Sequence, residues 1–370
     1  MRFVLPVALL LFANCLMAET SWQPENTWVF AVGVLQYQNK KLGTWPDEGR
    51  VDAVMIDALK KRGVPEDHIT FIKNEQATRD HCAKSLDELL AKTGEGDTLL
   101  FYFAGHGSRD FYDAARPVSL ICYDSKPKFA KTFWHVPLIY DAIEKGFKGA
   151  NVLVTADCCH SGALADEAQK RKKFKYGVLT SAHATSKSTG NWTFTQALVD
   201  LIQGSSLLDA NEDGNLTFKE AAAYCEAEMS FCEEQLSCSA AAGGFDVDTR
   251  FAKVEGKRTG RTGERCESES EGKWYKVKVL DDKDGKCFIT WIGWEKKWDA
   301  WVEPTALRKW QPKVLAGGTA VEVEFDGEWY KAKVMQTRLG MHFVHYDGFP
   351  DSDDEWVPMK RIRMPGEGKK

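Results

Sequence analysis

Two residues of this 370-residue chain stand out as chemically competent: a histidine between two glycines and a cysteine, each at the end of an apolar run. The first run is Phe101-Tyr102-Phe103-Ala104-Gly105-His106-Gly107. The second is Val152-Leu153-Val154-Thr155-Ala156-Asp157-Cys158-Cys159-His160-Ser161-Gly162. If the runs are neighbouring strands of a parallel sheet, His106 and Cys159 meet at its carboxyl edge, where open α/β sheets bind ligands. A free thiol titrates near about 8.5 and is mostly protonated at neutral pH. An adjacent imidazole makes it a nucleophile and can then protonate a leaving amine. The flanking glycines serve no packing purpose inside a strand, which sets these runs apart from two ordinary buried strands.

The elements that must position them follow from periodicity. Strands are expected over 27–35, 69–72, 98–103, 119–123, 150–156 and 176–181. Helices are expected over 49–62, 78–91, 136–144 and 191–203, the first with Val51, Val54, Met55, Ala58 and Leu59 on one face. Strands alternating with helices imply a mostly parallel sheet covered on both faces.

Gly105-His106-Gly107, taken with Asp157-Cys158-Cys159-His160-Ser161-Gly162, resembles the caspase–metacaspase group of cysteine peptidases; the second segment is similar to the metacaspase D-x-C-H-S-G signature. Aligned on His160-Ser161-Gly162, the nucleophile is Cys159, and Cys158 takes the variable position. The group's base is the histidine of the earlier G-H-G turn, which is His106 and not His160. The resemblance implies an α/β, caspase-like, mostly parallel sheet sandwiched by helices over residues 25–250, and a cysteine endopeptidase using a Cys-His dyad. Chemistry of this kind needs no cofactor. The amides of Gly107 and Cys159 are the candidate oxyanion donors. In metacaspases two aspartates line the S1 pocket; the matching residues are Asp52 and Asp157. Two carboxylates in a closed pocket favour peptide or protein substrates with Arg or Lys at P1 and exclude Asp. Lys170-Arg171-Lys172-Lys173-Phe174-Lys175 would then offer the enzyme a site for its own processing.

Asp209, Asn211, Asp213, Asn215 (through its carbonyl), Thr217 and Glu220 fit a twelve-residue calcium loop, with Gly214 at the sharp turn. Calcium is therefore a candidate ligand and a candidate modulator of activity. Residues 239–263 have the composition of a linker, and 251–263 are assigned as the linker proper. Behind it Gly272-Lys273-Trp274-Tyr275 recurs as Gly327-Glu328-Trp329-Tyr330, and a gapless shift of 55 aligns the two copies onward to Arg308 and Arg363. Two short, alternating, glycine-punctuated units imply two small β-barrels, at 264–311 and 312–366. They resemble SH3-like chromo-barrel or Tudor-knot modules. In the methyl-lysine readers of that group three aromatics cage the ammonium; the first copy keeps all three as Trp291, Trp294 and Trp298, while the second has Tyr346 and Phe349 with Asp353 in the third place. The ligand of these barrels is not legible. Since the catalytic set lies before the linker, the barrels are expected to be dispensable for chemistry. The alternative function is a catalytically silent caspase-like scaffold that binds partners through the barrels.

A net charge of −5 gives no indication of a nucleic-acid or anionic-membrane partner. Residues 1–18 read as a signal peptide: Arg2, an apolar stretch too short for a normal span, and cleavage after Ala18. This implies export to a periplasm or secretion, with anchoring by the same segment as the alternative. Ten cysteines become nine once Cys15 leaves, a count that suits one catalytic thiol plus pairs.

Overall fold

A computed structural model describes residues 20–109, 117–126 and 129–367. The segment 1–18 lies outside the described residues. Strands β1 (Thr27–Gly33), β2 (Ile69–Lys73), β3 (Thr98–Ala104), β4 (Gly107–Ser108), β5 (Ser119–Leu120), β6 (Trp134–His135), β7 (Asn151–Asp157) and β8 (Lys175–Thr180) are interleaved with helices α1 (Val51–Lys61), α2 (Arg79–Leu90), α3 (Val136–Gly146), α4 (Ala163–Lys170) and α5 (Thr193–Ile202). Then come β9 (Asn215–Thr217), α6 (Phe218–Glu228), β10 (Cys238–Ala242) and β11 (Arg250–Lys253). The main sheet runs β10-β8-β7-β3-β1-β2. It is parallel except for β10.

β1 and β3 are buried at every position, because helices cover both faces and leave no solvent side. Phe30, Phe101, Phe103 and Val154 pack with Leu86 of α2, Ile139 of α3 and Leu164 of α4. Val29, Leu100 and Tyr102 pack on the opposite face with Met55 of α1, Leu198 of α5 and Tyr224 of α6. This is the α/β sandwich that the resemblance implied.

Three details depart from the expected elements. The 119–123 strand is only β5, and it joins β4 and β6 in a separate antiparallel sheet. The alanines at 240–242 are not linker but edge strand: β10 pairs with β8, with Ala240 buried. β11, where the assigned linker begins, pairs with β9. Small side chains hid β10, since alanine carries little strand propensity, and β11 is only four residues long. None of the nine described cysteines forms a disulfide.

The repeat is reproduced strand by strand. Arg265–Ser270, Lys273–Lys283, Lys286–Trp291, Ala300–Val302 and Leu307–Lys309 form one five-stranded antiparallel sheet; Ala320–Phe325, Glu328–Arg338, Met341–Tyr346, Glu355–Pro358 and Ile362–Arg363 form the other, in the same order. Even the irregularity after Val279 recurs after Val334. Both sheets are consistent with small barrels, each around its own core, Val277, Val279 and Ile289 in the first and Val323, Val334 and Val344 in the second.

Candidate active site

β3 and β7 are neighbours with Ala104 opposite Asp157, so both chains leave the sheet at one edge. Gly107 sits so close to the Cys159 carbonyl that a Cβ there would lie 1.8 Å from its oxygen. Only glycine allows that approach. The two expected catalytic segments are thus in backbone contact.

His106 is held on several sides. Its N–H donates to the Tyr37 hydroxyl at 2.8 Å, and its carbonyl accepts the Ile121 N–H at 2.9 Å. Nε2 lies 2.8 Å from the Gly43 carbonyl. A carbonyl only accepts, so Nε2 carries the ring proton and Nδ1 is the basic nitrogen. The rings of Trp45 and Tyr37 flank the imidazole at 4.5 and 5.0 Å. Burial pushes the imidazole below its ordinary range, opposed by the Gly43 hydrogen bond.

Cys158 is buried in the apolar cluster with Leu164 and Trp134, and burial drives its thiol well above the ordinary range. Cys159 is half-buried; the Ser188 N–H donates to its Sγ at 3.1 Å, and Sγ reaches the Ser188 carbonyl at 3.6 Å. Burial raises this thiol too, opposed by the Ser188 backbone and the Lys187 ammonium. Among the described residues His106 and Cys159 are not hydrogen-bonded to each other. His160 turns the chain out of β7 with φ +59°. Its ring nitrogen Nδ1 donates to the Ala184 carbonyl at 3.0 Å.

The two expected S1 aspartates differ. Asp157 lines a cleft with Leu35, Trp45, Gly105, Asn191 and Trp192. Its Oδ2 accepts from the Thr195 hydroxyl at 2.7 Å and the Thr195 N–H at 3.3 Å. Burial outweighs these bonds and pushes its carboxyl up to about 6. Asp52 is fully buried and does not line that cleft. Arg50 holds both its oxygens, Nε to Oδ1 at 2.7 Å and Nη2 to Oδ2 at 2.6 Å, so its charge is already neutralised. The cleft has about 30 Å³ of free space. That is room for about two waters, and Trp45 and Trp192 form part of its wall. A separate apolar cavity of about 50 Å³ beneath α1 and α5 has no part in this site.

The 209–220 loop lies between α5 and α6. Asp209 accepts the N–H groups of Asp213 (3.1 Å) and Gly214 (3.0 Å), and Asn211 and Asp213 accept further loop amides. Gly214 has φ +81°. The oxygen-rich donor set and this turn fit calcium. Glu220 caps α6 through Thr217 and with its other oxygen accepts the Ala210 N–H at 3.3 Å, at the start of the loop. In the first barrel Trp291 and Trp294 stand edge-on to Tyr275, at 6.1 and 5.9 Å. Trp298 lies instead under the Lys297 ammonium. In the second, Tyr330 joins Tyr346 and Phe349 as the third wall, where sequence had offered Asp353. Arg171 is bound by Asp141, Glu144 and Glu167, so the basic run 170–175 is fastened to α3 and α4.

Sequence reasoning missed the Gly43 carbonyl and the Ser188 backbone, which leave no side-chain signature. It also missed Arg50, whose place two residues before Asp52 was a readable hint.

The Caspase domain family matches residues 49–262. The chain belongs to that family. Metacaspase-7 of Arabidopsis thaliana is 26% identical over 136 residues, covering 34% of this chain and 32% of that protein. The chain thus spans about a third of the length of this curated relative. Among solved structures, a protein of Geobacter sulfurreducens matches 62% of this chain and 99% of its own, at 17% identity and TM-score 0.43. Caspase-1 of Spodoptera frugiperda matches 63% and 92%, at 12% identity and TM-score 0.42. The AGDP1 AGD34 structure of Arabidopsis thaliana covers 28% of this chain and 80% of its own, at 16% identity and TM-score 0.14. The family match over residues 49–262 accords with the α/β sandwich described above and places the chain in a cysteine peptidase family.

Proposed function

We propose that this caspase-family chain is an active cysteine endopeptidase that cleaves after Arg or Lys. The observation that carries the reading is the packing of Gly107 on the Cys159 carbonyl, which joins the histidine and cysteine segments at one sheet edge. His106, its Nε2–H fixed by Gly43, takes the Cys159 proton on Nδ1 as the sulfur attacks the scissile carbonyl. The dyad contact closes when substrate binds, as catalytic hydrogen bonds commonly do. The amides of Gly107 and Cys159 receive the oxyanion. His106 then protonates the leaving amine, and water hydrolyses the acyl-enzyme. Asp157 supplies the counter-charge for P1; Asp52 contributes only where a substrate guanidinium displaces Arg50. The 209–220 loop takes calcium through Asp209, Asn211, Asp213, Asn215, Thr217 and Glu220, and supplies no chemistry. Export through residues 1–18 completes the proposal.

The test is an assay of residues 19–370 on matched peptides with Arg, Lys, Asn or Asp at P1, with and without calcium. Turnover of Arg or Lys peptides that vanishes in Cys159→Ala is expected. Fast cleavage after Asp would overturn the acidic pocket, and no turnover together with no labelling of Cys159 by a thiol probe would favour the silent scaffold.

A further inference from the structure

The two barrels share one register but not one neighbourhood. Trp301 of the first is 45% exposed. Its counterpart in the second, Trp356, lies 6.2 Å from the His183 ring. His183 belongs to the loop 182–188, which is laced to the nucleophile segment. The Ala182 N–H donates to Ser161 Oγ at 3.1 Å. The carbonyls of Ala184 and Ser186 accept from His160 at 3.0 and 2.9 Å. Ser188 N–H donates to Cys159 Sγ at 3.1 Å. Lys187 of the same loop faces Asp326 (3.8 Å) and the Phe325 ring (5.8 Å) of the second barrel.

On the other side of the site Arg109, three residues after His106, donates to the Ser352 carbonyl at 2.8 Å. The second barrel thus touches both the strand end beyond His106 and the loop that serves Cys159. It is held from behind by Arg338–Glu226 at 2.6 Å, Lys360–Glu234 at 2.8 Å and the Ser230 hydroxyl on the Leu339 carbonyl at 2.6 Å. The first barrel has a different seat. Arg265 and Lys278 bind Glu228, and Trp310 packs on Phe231.

We propose that the second barrel is a positioning module of the peptidase centre: by packing Trp356 on His183 and accepting a hydrogen bond from Arg109, it fixes the loop 182–188 so that the Ser188 N–H meets the Cys159 thiol. The proposal rests on Cys159 as nucleophile. A donor held in place stabilises the thiolate at no ordering cost during reaction. A barrel that lifts away leaves the sulfur without that donor. The loss falls on kcat more than on KM, because the contact is made to the reacting atom and not to the substrate.

The full chain tests this by two readouts: the rate at which iodoacetamide alkylates Cys159 at one fixed pH, followed by peptide mass spectrometry, and kcat on an Arg peptide. Trp356→Ala is expected to lower both about tenfold, Trp356→Phe to restore most of each, and Trp301→Ala, the same position of the first barrel, to change neither. A second route leaves the aromatic contact untouched. Arg338→Glu slows alkylation, and adding Glu226→Arg restores it by reversing the ion pair. Wild-type rates in Trp356→Ala, equal slowing in Trp301→Ala, or no recovery on the charge swap would each overturn the proposal. Alkylation needs no peptide. Slowed alkylation in a chain that ignores Arg peptides refutes the P1 assignment and leaves the positioning role; Arg-peptide turnover with unaltered variants refutes the positioning role alone.

Discussion

Burial separates Cys158 from Cys159: the first thiol faces the apolar cluster around Leu164, the second the loop at Ser188. Cys159→Ala is expected to abolish hydrolysis, and Cys158→Ala to keep most of it, in peptide assays of variants checked for fold by circular dichroism; the reverse pattern would make Cys158 the nucleophile. Asp157 yields a pH prediction. Its carboxyl sits at about 6, so it is ionised above that pH and neutral below. A cationic P1 finds its partner only in the ionised form. kcat/KM on Arg peptides should therefore fall as pH drops through about 6. Burial holds His106 below the ordinary imidazole range, and its protonation on acidification adds its own loss of base. Asp157→Asn should cost several kcal/mol of Arg discrimination, roughly 100-fold or more at pH 8. An Arg preference that is flat from about pH 5 to 8, an interval spanning the value set by burial, would contradict this assignment. Cys159, His106 and Asp157 stood out in the sequence because each carries a side chain of distinctive chemistry. Gly43 acts through its carbonyl, which every residue has, and so gave no sign.

β3 and β7 owe their legibility to burial on both faces, which writes a continuous apolar run into the chain. β10 and β11 were illegible for the opposite reason: one is alanine-rich edge strand, the other a short partner for β9. The contact between the ends of β3 and β7 leaves no room at Gly107. Gly107→Ala would force a methyl onto the Cys159 carbonyl. The expected result is a folded protein with activity reduced about 100-fold or more, since displacement of this order at a reacting centre costs that much. Activity assays beside thermal melts separate lost chemistry from lost fold. The α5–loop–α6 unit carries the calcium prediction. Titration calorimetry on the wild-type chain should give binding of the order of 0.1–1 mM, typical of extracellular modules. Glu220→Gln should weaken it strongly. Identical flat traces for both would reduce 209–220 to a turn closed by its own Asx bonds.

The chain reads as three modules in series, yet the barrels are not strung behind the peptidase on a free tether. Both rest on α6 and the turn after it, and β11 carries the first domain past the expected boundary. A chain cut after Arg250 therefore loses β11 and uncovers Phe231, Glu226 and Glu228. It is expected to be less stable and less active than the full protein, against the sequence-based expectation that the barrels are dispensable; full activity of that fragment would restore the simpler view. Lys278→Ala is a gentler probe. It leaves Glu228, 7% exposed, with Arg265 as its ion-pair partner and the Cys232 thiol beside it, and should cost about 1–3 kcal/mol, measurable by urea unfolding. Glu228 anchors the first barrel and Glu226 the second, two residues apart on a single helix. Loss of that helix unseats both barrels together. The melting of this protein is then one event, not three: a calorimetric scan should give a single heat-absorption peak whose calorimetric and van't Hoff enthalpies agree.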